Sequence, residues 1–225
     1  MKRILGLPLY HVHNVCEHLI PDLQTSIEKI QEEKHDWERQ RSKVSVYTKE
    51  GEHKFTLKQD PMEGVIGWQE LRAVIKDHVM DFFEALHPVD DTFHKDPDIN
   101  LRDALRTFWH NYAWYTYFDE TDSYSWHSHG QYYLIATYYV RADEEHAPIQ
   151  FKSPMSDMYT SWGLGTKSVR LEETVQPKTG DLMIWPAWLE HQIPALDTTI
   201  LNHSQAAVSY THLRAHETRH DLVCR

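Results

Sequence analysis

The chain has 225 residues, a formal net charge of −11 and 40% hydrophobic residues. This length and apolar content allow one medium-sized domain with its own core. The acidic charge argues against a nucleic-acid-binding surface, and two cysteines are too few for a disulfide scaffold. An apolar run long enough for a transmembrane helix is missing, as is the long apolar segment of a signal peptide. We therefore expect a cytoplasmic protein with no membrane partner.

Residues 208–225 have an unusual origin. They resemble the translation of a transposase adapter used in sequencing libraries, which reads VSYTHLRAHET, then two variable residues, then an Asp-Leu-Val-Cys-Arg run. The alternative is a genuine basic C-terminal helix. An adapter-derived segment has no selected structure, so we expect the native sequence to be truncated near Ala207 and residues 208–225 to be a non-native tail.

Two amphipathic helices are predicted in the N-terminal part of the chain. Apolar residues recur at helical spacing within 19–30 and within 68–86. Between them, residues 43–58 contain two β-like runs around a glycine, which predicts a hairpin. The stripe on the second helix favours packing against the protein's own sheet, and the alternative is a groove for a partner. Residues 1–100 are thus predicted to form a helical and hairpin layer.

The pattern changes in residues 101–207, where aromatic and β-branched runs alternate with glycine- and proline-containing turns. Short strands at this spacing predict a β-sandwich or barrel. The two parts lack a linker between them, so we expect a single domain over residues 1–207. The predicted strands are Phe108–Phe118, Tyr132–Val140, Ile149–Lys152, Ser168–Leu171 and Asp181–Trp185.

Three histidines predict a metal site. His127 and His129 are two residues apart, and alternate residues of a strand point to the same face. His191 follows a glycine turn, an apolar strand and a proline-containing corner. Two imidazoles from one strand and one from a distant strand resemble the facial triad of non-heme iron, which leaves coordination positions free for chemistry. Since no Cys-x-x-Cys pair is present, a closed structural zinc site is not expected.

The other histidines before residue 208 are interpreted as solvated or packing residues, because we see no shared spacing among them. They are His11, His13, His18, His35, His53, His78, His87, His94, His110, His146 and His203. Six aromatic residues could line the metal site, although core packing is the alternative for each. They are Trp126, Tyr132, Tyr138, Tyr139, Trp185 and Trp188.

A series of short motifs runs through the chain. The most specific is the segment 177–191, Pro-Lys-Thr-Gly-Asp-Leu-Met-Ile-Trp-Pro-Ala-Trp-Leu-Glu-His. The others are Leu7-Pro8-Leu9-Tyr10, Phe108-Trp109, His127-Ser128-His129-Gly130, Thr137-Tyr138-Tyr139-Val140 and Phe151-Lys152-Ser153-Pro154. With these motifs, residues 6–207 resemble the 2-oxoglutarate/Fe(II) oxygenases common in phage and marine bacterial genomes.

The resemblance implies a mainly β protein with N-terminal helices (α+β), folded as a double-stranded β-helix of the jelly-roll or cupin-like type. It implies an enzyme that binds Fe(II) and the co-substrate 2-oxoglutarate and hydroxylates a substrate with O2, in the host cytoplasm if a phage encodes it. The three histidines of the predicted site would be the catalytic metal ligands. Tyr132, Tyr138 and Trp185 would bind the co-substrate.

The chain departs from the family pattern at two places. His129 stands where the general superfamily has Asp or Glu. The superfamily also places an arginine on the final strand to pair with the far carboxylate of 2-oxoglutarate, and no arginine lies between Leu171 and the tail. We therefore expect the barrel to lack its last strand, residues 208–212 to fill that slot only in part, and the chain from Leu213 onward to be loose or weakly helical. Arg214, a tail residue, is not assigned to the missing role.

The alternative function is a cupin-like metal-binding or sugar-binding barrel without oxygenase activity. The segment 180–191 follows the second cupin motif except that Trp188 replaces a glycine, but the glutamate of the first motif is missing near His129. A non-catalytic phage structural or interaction protein is a further alternative. For an oxygenase, a small molecule or a protein side chain such as proline is the expected substrate, and nucleic acid is the least expected.

Overall fold

The computed structural model describes residues 2–4, 7–32, 62, 65–86, 111–118, 123–130, 132–144, 146–162, 171–194 and 205–214. Among these residues, no helix has the length and apolar character needed to cross a membrane. The predicted hairpin at 43–58 lies outside the described residues.

The helices agree with the apolar spacing of the sequence. A 3-10 turn at Glu17–Leu19 leads into α1, Ile20–Glu32, and α2 spans Trp68–Leu86. A short helix, α3, covers Ser156–Ser161. The stripe of α2 is buried, and each fully buried leucine or isoleucine on it stabilises the fold by about 1.5–3 kcal/mol. Both predicted helices are therefore confirmed.

The strands form two antiparallel sheets. The larger is six-stranded, in the order β1-β2-β8-β5-β10-β3, and the smaller is four-stranded, in the order β4-β9-β6-β7. The strands are β1 Lys2–Ile4, β2 Leu7–Val12, β3 Asn111–Phe118, β4 Tyr124–His127, β5 Tyr132–Arg141, β6 Ile149–Lys152, β7 Glu172–Val175, β8 Leu182–Pro186, β9 His191–Ile193 and β10 Gln205–Arg214.

Successive side chains of β5 and β8 point to opposite faces of the larger sheet, and this divides the core into two parts. On β8, Leu182 and Ile184 pack against the helices, whereas Met183 and Trp185 pack with residues of the smaller sheet. This follows from the two-residue period of a strand, which sends successive side chains to opposite faces. One core cluster, the helix-side core, lies between the larger sheet and α1 and α2. The other, the inter-sheet core, contains Leu9 of β2 and Phe151 of β6.

The last strand corrects one expectation. We expected the final slot of the sheet to be empty or only partly filled, but β10 spans Gln205–Arg214 and pairs with both β3 and β5. The expectation that the chain is loose from Leu213 is wrong for Leu213 and Arg214. Two neighbouring strands leave a row of backbone donors and acceptors that only another strand can satisfy. Val208, Tyr210 and Thr211 are strand-favouring residues, so this segment fills the slot whatever its origin.

Two smaller predictions need adjustment. His127 ends β4, whereas His129 lies beyond the strand rather than on it. The strand expected at 168–171 is seen at Glu172–Val175, and residues 168–170 are not among those described. Two antiparallel sheets with helices on one outer face are consistent with a jelly roll. The hydrogen bonds of the described strands do not close them into a barrel.

Candidate metal centre

The structure brings His127, His129 and His191 together. One ring nitrogen from each lies within 4.8 Å of the others. β4 and β9 are antiparallel neighbours in which His127 is paired with His191. Their ring centroids are 4.3 Å apart, and that of His129 is 5.1 Å from His127 and 5.3 Å from His191. The convergence predicted from the sequence is therefore present, across strands distant in the chain.

Backbone carbonyls orient two of the three imidazoles. The Nδ1–H group of His127 donates to the carbonyl of Ser125 at 2.8 Å, and that of His191 donates to the carbonyl of Leu189 at 2.9 Å. In this arrangement Nε2 of each ring carries a free lone pair. Such a hydrogen bond on the far side of the ring is the usual support of a metal-binding histidine, because it fixes both tautomer and orientation.

His129 reaches the cluster from a turn. Its backbone N–H donates to the carbonyl of Ala187 at 2.8 Å, and its own carbonyl accepts from the N–H of Tyr132 at 2.9 Å. These bonds tie the residues after β4 to both the end of β8 and the start of β5. The position of His129 is therefore set by the fold around it, although it is not part of the strand that the HxH spacing predicts.

Burial keeps all three imidazoles neutral. Desolvation lowers the pKa of His191 to about 3, and the proximity of His127 also lowers it. Desolvation, again with His127, lowers the pKa of His129 to about 4. The pKa of His127 is lowered by desolvation as well, opposed by its bond to Ser125. A neutral imidazole is the form that binds a metal, so the ligands need lose no proton near neutral pH.

Two aromatic residues of the inter-sheet core enclose the buried side of the cluster. The ring of Trp185 lies edge-on to His191 at 5.1 Å, and that of Phe151 lies 6.2 Å from it. Phe151 is paired with His191 across β6 and β9. The buried indole Nε1–H of Trp185 has no hydrogen-bond partner among the described residues. A buried donor without a partner destabilises the folded protein unless an acceptor binds to it. This N–H therefore suits an acceptor atom of a ligand.

The other predicted lining residues are distributed differently. Tyr132 packs at the edge of the inter-sheet core, Trp126 is half-buried on β4, and Trp188 is 51% exposed in the turn after β8. Tyr139 is fully buried in the inter-sheet core, where burial and the charge of Asp181, at the far end of β8, raise the pKa of its phenol.

Tyr138 corrects a site assignment. We expected it to bind the co-substrate, but it is fully buried in the helix-side core, where its hydroxyl donates to the carbonyl of Val15 at 2.7 Å. It therefore lies on the opposite face of the larger sheet from Trp185. Burial raises the pKa of its phenol, so the hydroxyl remains a neutral donor. The structure separates it from the three histidines.

Sequence reasoning missed Phe151 and a second polar cluster. Phe151 was named only within a motif, and its place beside His191 depends on sheet order. The second cluster joins His11 and His13 to Asp181, whose carboxylate is buried. The signal that could have found it is the His-x-His spacing of His11 and His13, which matches that of His127 and His129. The interpretation that these two histidines are unrelated was wrong, because both donate to Asp181, although His13 is exposed as that interpretation expected.

Comparisons with known proteins give a family match over part of the chain and a likeness of fold. Residues 112–207 match the family model described as "Putative 2OG-Fe(II) oxygenase". This segment contains the three histidines and Trp185. No curated protein matches the chain.

Solved structures show the same fold at low sequence identity. A prolyl-4-hydroxylase from Pseudomonas putida is 9% identical with a TM-score of 0.55, covering 92% of this chain and 93% of its own. A "Putative oxygenase" from Shewanella oneidensis is 9% identical with a TM-score of 0.57, covering 93% of this chain and 83% of its own. The α-ketoglutarate-dependent epimerase SnoN from nogalamycin biosynthesis is 11% identical with a TM-score of 0.53, covering 93% and 78%.

At these identities the structural likeness concerns the fold, and the chemistry depends on the family match and the site. The cofactors predicted from the sequence, Fe(II) and 2-oxoglutarate, are those in the name of the matched family. The matched segment, less than half of the chain, is similar to a 2-oxoglutarate/Fe(II) oxygenase family, and it contains the three-histidine cluster.

Proposed function

We propose that the protein is an Fe(II)- and 2-oxoglutarate-dependent dioxygenase that hydroxylates a small molecule or a protein side chain. The observation that carries this proposal is the convergence of His127, His129 and His191, with all three ligand nitrogens within 4.8 Å of one another. Three neutral imidazoles suit a divalent transition metal and leave coordination positions free. The match of residues 112–207 to the oxygenase family selects iron among the metals that imidazole binds.

The residues present fit both cofactors. His127 and His191 donate their Nδ1–H groups to backbone carbonyls, so Nε2 of each is left for the metal. The unpartnered indole N–H of Trp185 suits an oxygen atom of a bound 2-oxoglutarate, since a buried donor gains most from an acceptor that replaces lost water. Fe(II) bound here would supply the reaction of O2 with 2-oxoglutarate, which yields succinate, CO2 and the hydroxylated substrate.

The protein's own contribution is to position ligands and exclude water. The inter-sheet core behind His191, including Trp185 and Phe151, closes the inner side of the site with apolar surface. A dry wall strengthens the electrostatic interactions of ligands bound there. The paired strands β4 and β9 fix the relative positions of His127 and His191, so little reorganisation is needed when a metal binds.

Exposed aromatic side chains mark the open side of the site. Trp188 is 51% exposed and Tyr133 is 50% exposed. The two are connected through Ala187, whose N–H donates to the carbonyl of Tyr133 and whose carbonyl accepts the N–H of His129. Large exposed aromatic residues beside a metal site favour stacking or apolar contact with a ligand. We propose that the substrate approaches the metal over these two side chains.

Succinate formation tests the proposed function. Incubation of the protein with Fe(II), 2-oxoglutarate and O2 should release succinate, and omission of either the metal or 2-oxoglutarate should abolish it. His127→Ala and His191→Ala should lose both iron binding, measured anaerobically, and succinate release. His18→Ala is the matched control, because His18 is exposed and pairs with Glu70 away from the site.

Two results would count against this function. Unchanged iron affinity in both His127→Ala and His191→Ala would show that the metal binds elsewhere. Iron binding at the three histidines without any succinate, over a broad panel of substrates, would favour the cupin-like alternative, a metal-binding barrel without oxygenase activity.

A further inference from the structure

A second cluster of metal-ligating side chains lies at the junction of β2 and β8. The imidazoles of His11 and His13 donate to the carboxylate of Asp181, from Nε2 to Oδ2 at 2.8 Å and from Nδ1 to Oδ1 at 2.7 Å. The backbone N–H of Lys178 also donates to Oδ2, at 2.9 Å. One ligand atom from each of the three side chains lies within 4.8 Å of the others.

The fold places these three residues on or directly next to two paired strands. His11 is opposite Met183 in the pairing of β2 with β8, and His13 is two residues further on. Asp181 directly precedes β8, after a turn in which Gly180 has φ 85°. The N–H of Gly180 donates to the carbonyl of Tyr139, and the carbonyl of Gly180 accepts from Val15. The carboxylate is thus fixed between β2, β5 and β8.

The donor set fits a divalent transition metal. Two imidazoles and one carboxylate leave open coordination positions, which water can reach because the His13 side chain is 61% exposed. In a tetrahedral zinc site with bonds of about 2.0–2.1 Å, neighbouring ligand atoms are about 3.3 Å apart. The present contacts of 2.7 and 2.8 Å would therefore open by about half an ångström, and the exposed side chain of His13 can make that movement.

The charge of the cluster also favours a cation. The Asp181 side chain is 1% exposed. Burial acts to raise its pKa, but the hydrogen bonds from His11, His13 and the Lys178 N–H outweigh it and lower the pKa, so the carboxylate is ionised. A buried carboxylate is stabilised most strongly by a metal ion or a bound cation.

This cluster is separate from the three-histidine site. Asp181 precedes β8, whereas Ala187, which binds the backbone of His129, follows it. At about 3.3 Å per residue, the two ends of this segment are about 20 Å apart. A metal at one end cannot share ligands with a metal at the other.

We propose that His11, His13 and Asp181 form a second metal site, for zinc or a similar divalent ion, that fastens β2 to β8. The metal takes the place of the imidazole N–H groups that now point at Asp181, so each ring carries its proton on the other nitrogen when the metal is bound. Because the ligands come from different strands, the metal stabilises the folded state over the unfolded chain.

Cobalt stoichiometry tests the site, with Co(II) as a spectroscopic probe for zinc. The parent should bind two equivalents, one at each cluster, and His13→Gln should bind one. His18→Gln is the matched control, since its side chain is 64% exposed and also pairs with a carboxylate, and it should bind two. Asp181→Asn, which keeps a side-chain acceptor, should also bind one. With both His127→Gln and His191→Gln introduced, one equivalent should remain, and adding His13→Gln should remove it.

The same variants give a second readout. Zn(II) in the His127→Gln, His191→Gln background should raise the melting temperature, and the further change His13→Gln should abolish that rise. The proposal is overturned if His13→Gln and Asp181→Asn both bind as many equivalents of Co(II) as the parent, or if the His127→Gln, His191→Gln variant binds none. These outcomes do not depend on oxygenase activity, so they leave the proposed function to its own test.

Discussion

The buried imidazoles should make the metal-free protein lose stability in mildly acidic solution. Burial holds the pKa of His191 at about 3, against a usual value of 6.5. Below pH 6.5 the unfolded chain takes up a proton on this ring, whereas the folded protein does not until the pH nears 3. The stability contributed by the neutral ring is therefore fully present above pH 6.5 and is lost as the pH falls through this window.

The size of the effect follows from linkage. Well inside the window, each pH unit costs about 1.4 kcal/mol for one such histidine, and lowering the pH from 7.5 to 5.5 costs about 1.4 kcal/mol for His191. His129, with a pKa of about 4, contributes about the same over this range. Their sum is about 2–3 kcal/mol, a measurable part of the 5–15 kcal/mol that is usual for a domain.

Urea unfolding with a chelator present, followed by tryptophan fluorescence at pH 7.5 and 5.5, measures this loss. His191→Gln removes one titrating ring, so its loss of stability between the two pH values should be smaller than that of the parent by about 1.4 kcal/mol. His18→Gln, at an exposed site, should show the parent's full loss. If His191→Gln loses as much stability as the parent, the imidazole is not held neutral by burial and the reasoning fails.

Three further substitutions test other parts of the structure. Trp185→Phe removes the unpartnered indole N–H, so it should raise the KM for 2-oxoglutarate by about 5- to 100-fold, and an unchanged KM would exclude this residue as a ligand. Tyr138→Phe removes the hydrogen bond to Val15 and should lower the free energy of unfolding by about 1–2 kcal/mol, with the affinity for iron unchanged. Weaker iron binding in this variant would mean that Tyr138 belongs to the metal site. Ser209→Pro, in the middle of β10, should destabilise the protein by about 1–3 kcal/mol in urea unfolding, whereas the control Ser209→Thr should not. Equal stabilities of the two variants would mean that this strand is not formed.

The helices could be predicted because their signal is local. The apolar stripe within Trp68–Leu86 predicts both the helix and its buried face, and the structure buries most of the stripe, although Leu86 is only partly buried. Strand positions were also largely predictable, because aromatic and β-branched runs alternate with turn residues along the sequence. The order of strands was not, because β10 reaches its place between β3 and β5 through pairing of segments far apart in the chain. Composition alone gives no signal for such a partner choice.

Site residues could be predicted where their spacing along the sequence determines the geometry. The prediction failed where the position of a side chain depends on which elements pack around it. His127 was found from its His-x-His spacing with His129, and His191 from its place after a glycine turn, an apolar strand and a proline-containing corner. The prediction that Tyr138 and Tyr139 could both line the metal site was wrong, for a simple reason. Adjacent residues on a strand face opposite sides of the sheet, so both could not line the same cavity, and the structure divides them between the helix-side and inter-sheet cores.

The two His-x-His pairs show how the third partner determines the chemistry of the same local pattern. His127 and His129 meet another imidazole, so a divalent ion there keeps its full charge of two, and the buried surroundings do little to screen it. His11 and His13 meet a carboxylate, which cancels one unit of that charge. An anionic ligand such as a dicarboxylate is therefore attracted more strongly to the three-histidine site than to the other. In the proposed function, the neutral imidazole at position 129, where the general superfamily has a carboxylate, leaves one more unit of the positive charge of iron available for binding 2-oxoglutarate.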